Sequence, residues 1–166
     1  LYAYVLMPNH FHLLVEVGKR PLAELMQPLL TSHARYFNER YGQTGHLFQG
    51  PYQAIICERD AHLLELVRYL HLNPVRAGLC RDPAEWDWSS HPYYLGHRGG
   101  EWMAAREALA MFAPQERRAE DAYARFIADG LAMGHRPDLY PRRKRRARPK
   151  EETRQVLIRL CEALGC

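Results

Sequence analysis

Hydrophobic positions along the chain change period several times, and each change marks an element. Residues 2–7 (Tyr-Ala-Tyr-Val-Leu-Met) are aromatic and branched and read as a strand. Pro8-Asn9 is a turn signal, and the alternation resumes from His10 to Val17, so the two runs form an antiparallel hairpin. After Gly18–Arg20 the period lengthens. Pro21 suits the start of a helix, and Leu22, Leu25, Leu29, His33, Tyr36 or Phe37, and Tyr41 recur at three-to-four spacing as its buried stripe. The helix runs for about 20 residues and kinks where Pro28 removes a backbone donor. The glycine-rich stretch GQTGHLFQG (42–50) is a loop, and Tyr52–Glu58 reads as a third strand.

Asp60 can cap a second helix whose buried face is Leu63, Leu64, Val67 and Leu70. Pro74 pushes its predecessor out of helical geometry, so this helix is expected to end at Asn73. Residues 75–98 are irregular, with tryptophans and tyrosines able to fold back over the core. Arg98-Gly99-Gly100 is a boundary. Beyond it, Trp102, Ala105, Leu109 and Phe112 suggest one helix, and Ala119, Ala122, Tyr123, Phe126 and Ile127 another. A basic linker follows, and Glu151–Leu164 reads as a last amphipathic helix. The expected division is a main α+β unit over 1–98, a two-helix extension over 99–134, and a linker with a C-terminal helix over 135–166.

The candidate chemistry lies in the hairpin and the second helix. Side chains alternate along a strand, so His10 and His12 share one face while Phe11, Leu13, Val15 and Val17 take the other. Two imidazoles on a strand with an apolar back are a plausible rigid support for a metal ion. Glu65, Tyr69 and Asn73 stack one turn apart on a helical face distinct from the leucines, and Tyr69 is a candidate nucleophile if it sits opposite the histidines.

Charge changes the picture further. The net charge is +4, yet the segment Arg142–Lys150 alone holds seven basic residues, so the rest of the chain is net negative. Such a block is often a nucleic-acid arm. The expected contacts are Arg142, Arg143, Lys144, Arg145 and Arg146 in that arm, His46 and Gln49 in the glycine-rich loop, and Arg68 and Arg76 on the second helix. No apolar run is long enough to cross a bilayer and no signal peptide stands at the start, which leaves a cytoplasmic, nucleoid-associated protein as the expectation. The four cysteines lack the spacing of a zinc site and read as reduced thiols.

Taken in order, YVLMPNHFHLLVEV (Tyr4–Val17), TGHLFQG (Thr44–Gly50), LVRYLHLNPVRAG (Leu66–Gly78) and DWSSHPYYLG (Asp87–Gly96) resemble the HUH single-tyrosine transposases of bacterial insertion sequences. The likeness is closest to their REP-associated relatives and spans residues 1–98. It implies a ferredoxin-like antiparallel sheet with helices packed on one face, followed by a small helical extension. It also implies His10 and His12 as ligands of Mg²⁺ or Mn²⁺, Asn73 as third ligand, and Tyr69 as the nucleophile that cuts and rejoins single-stranded hairpin DNA through a 5′-phosphotyrosine. Relatives carry a further strand and helix before the position of Leu1, so the resemblance also implies an N-terminal truncation. Where they carry arginine after the GHLFQG loop this chain has Pro51, which removes a phosphate contact. Two other readings use the same residues: a non-catalytic DNA-binding remnant, and a metallohydrolase acting through water. The sequence leaves a monomer or a homodimer open.

Overall fold

The N-terminal hairpin forms as expected in the computed structural model, which describes residues 1–57, 60–133 and 154–161. Strand β1 (Ala3–Leu6) pairs antiparallel with β2 (His10–Val17), with Val5 opposite His12. Strand β3 is Gln53–Cys57 and β4 is Arg154–Cys161. The four strands run in the order β1-β2-β4-β3, every pairing antiparallel, so the histidine strand is interior.

Strand β4 corrects the helix expected over 151–164. Its Val156-Leu157-Ile158 run is short and apolar, which suits a helix or a strand equally, and two of the three residues are β-branched. Pairing with β2 on one side and β3 on the other settles it as a strand. The outer edge of β1 is covered in turn: the Leu6 amide donates to the Trp88 carbonyl at 2.8 Å, and the Ser90 amide to the Tyr4 carbonyl at 3.0 Å. An uncovered edge would leave those groups open to another chain.

Helices lie on both faces of this sheet, not on one. Helix α2 (Asp60–Arg76) packs with Leu14, Ala3 and Val5, whereas α1 (Leu22–Tyr41) packs through Met26 with Val15, Phe11, Leu13 and Val17. Alternation along β2 sends those two sets in opposite directions. Helix α1 also sits at a different rotation from the expected one. The residues turned inward are Leu22, Met26 and Leu30, and Leu25, Leu29, Tyr36 and Tyr41 are exposed. Both stripes satisfy helical spacing in this leucine-rich stretch, so periodicity alone did not choose between them.

Helix α2 continues through Pro74 to Arg76 and does not stop at Asn73. Proline forfeits only its own amide, and the turn beyond closes regularly, with the Ala77 amide on the Asn73 carbonyl and that of Leu79 on Pro74, both at 2.9 Å. Gly78, at φ 71°, then takes the left-handed conformation that ends the helix.

The expected two-helix extension shares the main core. A short helix α3 (His91–Tyr94), α4 (Ala105–Ala110) and α5 (Glu116–Ala132) contribute Tyr94, Ala108, Leu109, Tyr123 and Ile127 to the cluster that holds Leu14 and Leu70. Contact between α2 and α5 is close. A Cβ placed on Gly130 would lie 2.6 Å from Arg68 Cδ and 2.8 Å from Leu72 Cδ1. Arg68 itself is buried, its guanidinium 4.1 Å over the Phe126 ring and 2.6 Å from the Glu65 carboxylate. It fastens two helices, and its guanidinium, expected at DNA, is spent on Glu65 and Phe126. Arg142, Arg143, Lys144, Arg145 and Arg146 lie outside the described residues.

Two predictions follow from this packing. Gly130→Ala overpacks the α2–α5 contact, at a cost of about 1–3 kcal/mol, and regains about 1 kcal/mol of helix propensity. Chemical denaturation should therefore show a net loss; an unchanged or raised midpoint would mean the helices separate freely. The second concerns acid. Burial holds His71 well below the usual histidine value and lowers His91 to about 4. Above pH 6.5 both are neutral folded or unfolded, and below it the unfolded chain alone takes up the protons. Stability should fall as pH drops from 6.5 towards 4, on the order of 3 kcal/mol for His91 alone. Denaturation midpoints that stay flat between pH 7 and 5 would contradict it.

Candidate active site

Strand β2 delivers the two histidines as its alternation requires. Their rings are 5.0 Å apart and perpendicular, His12 buried and His10 half-buried. The turn residue before them sets one ring. Asn9 Oδ1 lies 2.7 Å from His10 Nδ1, and an amide oxygen can only accept, so Nδ1 carries the proton and Nε2 the lone pair. A neutral imidazole with Nε2 as its lone-pair nitrogen is the form that ligates metals, and a hydrogen bond at the other nitrogen is what orients such ligands.

Helix α2 crosses the same face. It buries Leu66, Leu70 and Val67 in the core, and this turns Tyr69 toward the sheet. The Tyr69 ring stands 6.1 Å from His12, edge to face at 85°. Asn73 and Arg76 follow at four and seven residues, so the three side chains form one stripe. The Arg76 guanidinium reaches back to 5.6 Å from the centre of the Tyr69 ring. That contact depends on the helix passing through Pro74: had it ended at Asn73, Arg76 would have left the stripe. Tyr69 is only 6% exposed, so the phenol sits within the protein wall and not on its surface.

These residues fit a divalent ion. Among the described residues no three His, Cys, Asp or Glu side chains gather at one place, so the available set is two imidazoles and an amide. The Nδ2 atom of Asn73 is buried without a hydrogen-bond partner. Amide oxygen and nitrogen exchange places by a half-turn of the side chain, and that turn puts a ligand oxygen where an unsatisfied nitrogen stands. Nitrogen and oxygen donors with positions left for water suit Mn²⁺ or Mg²⁺ better than a closed zinc site.

His10, His12, Tyr69, Asn73 and Arg76 thus share one face of β2 and one stripe of α2. His46 and Gln49 are exposed on the loop at 42–50. Their loop is seated on α1 by the Asn38 amide donating to the Gly45 carbonyl at 3.1 Å, by buried Leu47, and by Phe48 against His33 at 6.1 Å. Sequence reasoning missed Asn9 as an orienting group and Arg76 as a neighbour of the phenol; the spacing of seven from Tyr69 was the available signal for the second.

No helix among the described residues is long and apolar enough to cross a membrane. No curated protein and no solved structure matches the chain significantly. A match is found to the family described as "Transposase IS200 like", over residues 1–73. That family is enzymatic, and the match implies DNA cleavage of the transposase kind. The span takes in His10, His12, Tyr69 and Asn73 and stops before Arg76: residues 1–73 carry an IS200-like transposase domain.

Proposed function

We propose that this chain cuts and rejoins single-stranded hairpin DNA through a 5′-phosphotyrosine on Tyr69, with Mg²⁺ or Mn²⁺ held by His10, His12 and Asn73, in the manner of the REP-associated transposases. The observation that carries it is the Tyr69 ring 6.1 Å from His12, with Asn73 one turn further along the same helix. A ferredoxin-like sheet is supported by the strand–strand–helix–strand order of β1, β2, α1 and β3 and by the all-antiparallel order β1-β2-β4-β3.

In this reading the Tyr69 oxygen attacks the scissile phosphorus. The tyrosine oxygen–phosphorus bond forms as the phenol gives up its proton, the bond to the 3′ oxygen breaks, and that oxygen takes up a proton to become the 3′-hydroxyl, so one proton is lost and one gained. One phosphodiester replaces another, so the step is nearly balanced and runs backward when a different 3′-hydroxyl attacks. A bound divalent ion would neutralise the non-bridging oxygens and orient the phosphate. Arg76, always charged, stands beside the phenol where it can bind the same anion. His46 and Gln49, on their exposed loop, and the basic segment at 142–150 supply contacts to DNA phosphates.

One observation favours the second reading, a DNA-binding remnant: the nucleophile is 6% exposed, and a phosphate must reach it. A covalent-adduct assay separates the two. Hairpin DNA with a single-stranded flank and Mn²⁺ should give a protein–DNA species that survives denaturation. Tyr69→Phe should abolish it, as should chelation, and His12→Ala should reduce it by about 100-fold or more. An adduct in Tyr69→Phe overturns the choice of nucleophile. Salt-sensitive binding with no adduct under either metal identifies a remnant, and nicked DNA without bound protein identifies a metallohydrolase.

A further inference from the structure

We infer that His71 and Ser90 are positioning residues for Tyr69, and that helix α5, through the hydroxyl of Tyr123, belongs to the catalytic unit. The inference rests on the proposed role of Tyr69 and adds to it residues outside the matched span.

His71 follows Tyr69 by two positions, so it leaves α2 about 200° round the helix from the phenol. It is fully buried. Its Nε2 lies 2.7 Å from Ser90 Oγ and its Nδ1 2.8 Å from the Tyr123 hydroxyl. Ser90 Oγ in turn accepts from the Tyr4 amide at 2.9 Å and lies 3.2 Å from the Tyr4 carbonyl. The Tyr123 oxygen also meets His91 Nδ1.

Proton counting closes this network in either of two senses. With the Ser90 proton on the Tyr4 carbonyl, His71 Nε2 donates to Ser90, Tyr123 donates to His71 Nδ1, and His91 Nδ1 donates to the phenol oxygen. With the Ser90 proton on His71 Nε2, the Tyr4 carbonyl keeps the Ser90 amide, His71 Nδ1 donates to the phenol, and the phenol donates to His91 Nδ1. In both senses directional bonds join α3, α5, α2 and β1. Apolar contacts alone would let a helix slip or rotate on a sheet at small cost, whereas directional bonds within a core hold one orientation.

The strand at the end of this chain matters. Tyr4 belongs to β1, whose next residue, Val5, pairs with His12 on β2. One side of α2 is thus tied through Ser90 to the strand beside the histidines, and the other presents Tyr69 to His12 at 6.1 Å. A rotation of the helix by one residue, about 100°, would carry the phenol off the site. The family match ends at residue 73, so Ser90, His91 and Tyr123 all lie beyond it.

The test uses the full chain with Tyr123→Phe, which keeps the ring and removes only the hydroxyl, and Ser90→Ala, with exposed Tyr36→Phe as control. Single-turnover adduct formation on hairpin DNA should fall by about 10-fold or more at saturating DNA, while the DNA dissociation constant stays within about twofold. Amide exchange across Leu66–Leu72 should quicken in the same two variants and not in the control. Weakened binding with an unchanged saturated rate overturns the inference, as does an unchanged rate beside faster exchange. Should the unaltered protein form no adduct, the proposed function fails and exchange alone decides: faster exchange in Tyr123→Phe supports the tie between α5 and α2, and unchanged exchange overturns it.

Discussion

Two imidazoles and a phenol meet inside a protein only when the helix bearing the phenol is held at one rotation over the strand bearing the imidazoles. In this chain that constraint is the seating of α2 on the face of β2 that carries His10 and His12. Tyr69 has no freedom to search: it is buried, with His12 on one side and Arg76 on another. The two remaining sides of α2 do the holding. Leu66, Leu70 and Val67 supply apolar burial, which sets depth, and His71 and Arg68 supply polar ties, which set rotation and axial position. Burial of leucines is worth a few kcal/mol each but is indifferent to small rotations. A hydrogen bond is worth less and is far more particular about angle.

The polar ties come with a cost that explains where they sit. A histidine taken fully out of water is unfavourable unless both ring nitrogens are satisfied. His71 meets that condition because two partners converge on it: Ser90, which precedes α3 and is itself bonded to Tyr4 of β1, and Tyr123 of α5, whose hydroxyl also meets His91. Remove one segment and the others keep unsatisfied groups in the core. The four-helix side of the sheet is therefore a single cooperative body, although its sequence reads as a domain followed by an extension.

What the sequence revealed and what it concealed divide along physical lines. Strict alternation made the histidine pair legible, because only one period puts His10 and His12 together with Phe11 and Leu13 opposite. The stripe of Tyr69 and Asn73 was legible for the same reason. The phase of α1 was not, since Leu22, Leu25, Leu29 and Leu30 allow more than one apolar stripe and the choice depends on what Val15 offers Met26. Arg68 is expected at DNA from its charge alone; its burial depends on Phe126 and Gly130, 58 and 62 residues away. The residues at 154–161 had to await their partners, because a short apolar run carries no decisive period of its own. Local signals thus located the chemical groups, and contacts distant in sequence determined which of them are structural.

Pro74 shows how the two kinds of information meet. Read locally it ends the helix at Asn73, and Arg76 then falls off the stripe that Tyr69 and Asn73 share. Held by the packing of Leu70 and Leu72 below and the regular turn at Ala77–Leu79 beyond, the helix continues for two residues past it. Those two residues bring Arg76 over the phenol. A phosphodiester entering beside Tyr69 would gain a fixed positive charge that needs no metal, no proton uptake and no rearrangement. A helix that ignores its proline is accordingly more than a tolerated irregularity: it converts a phenol and an amide on one turn into a phenol flanked by an amide and a cation.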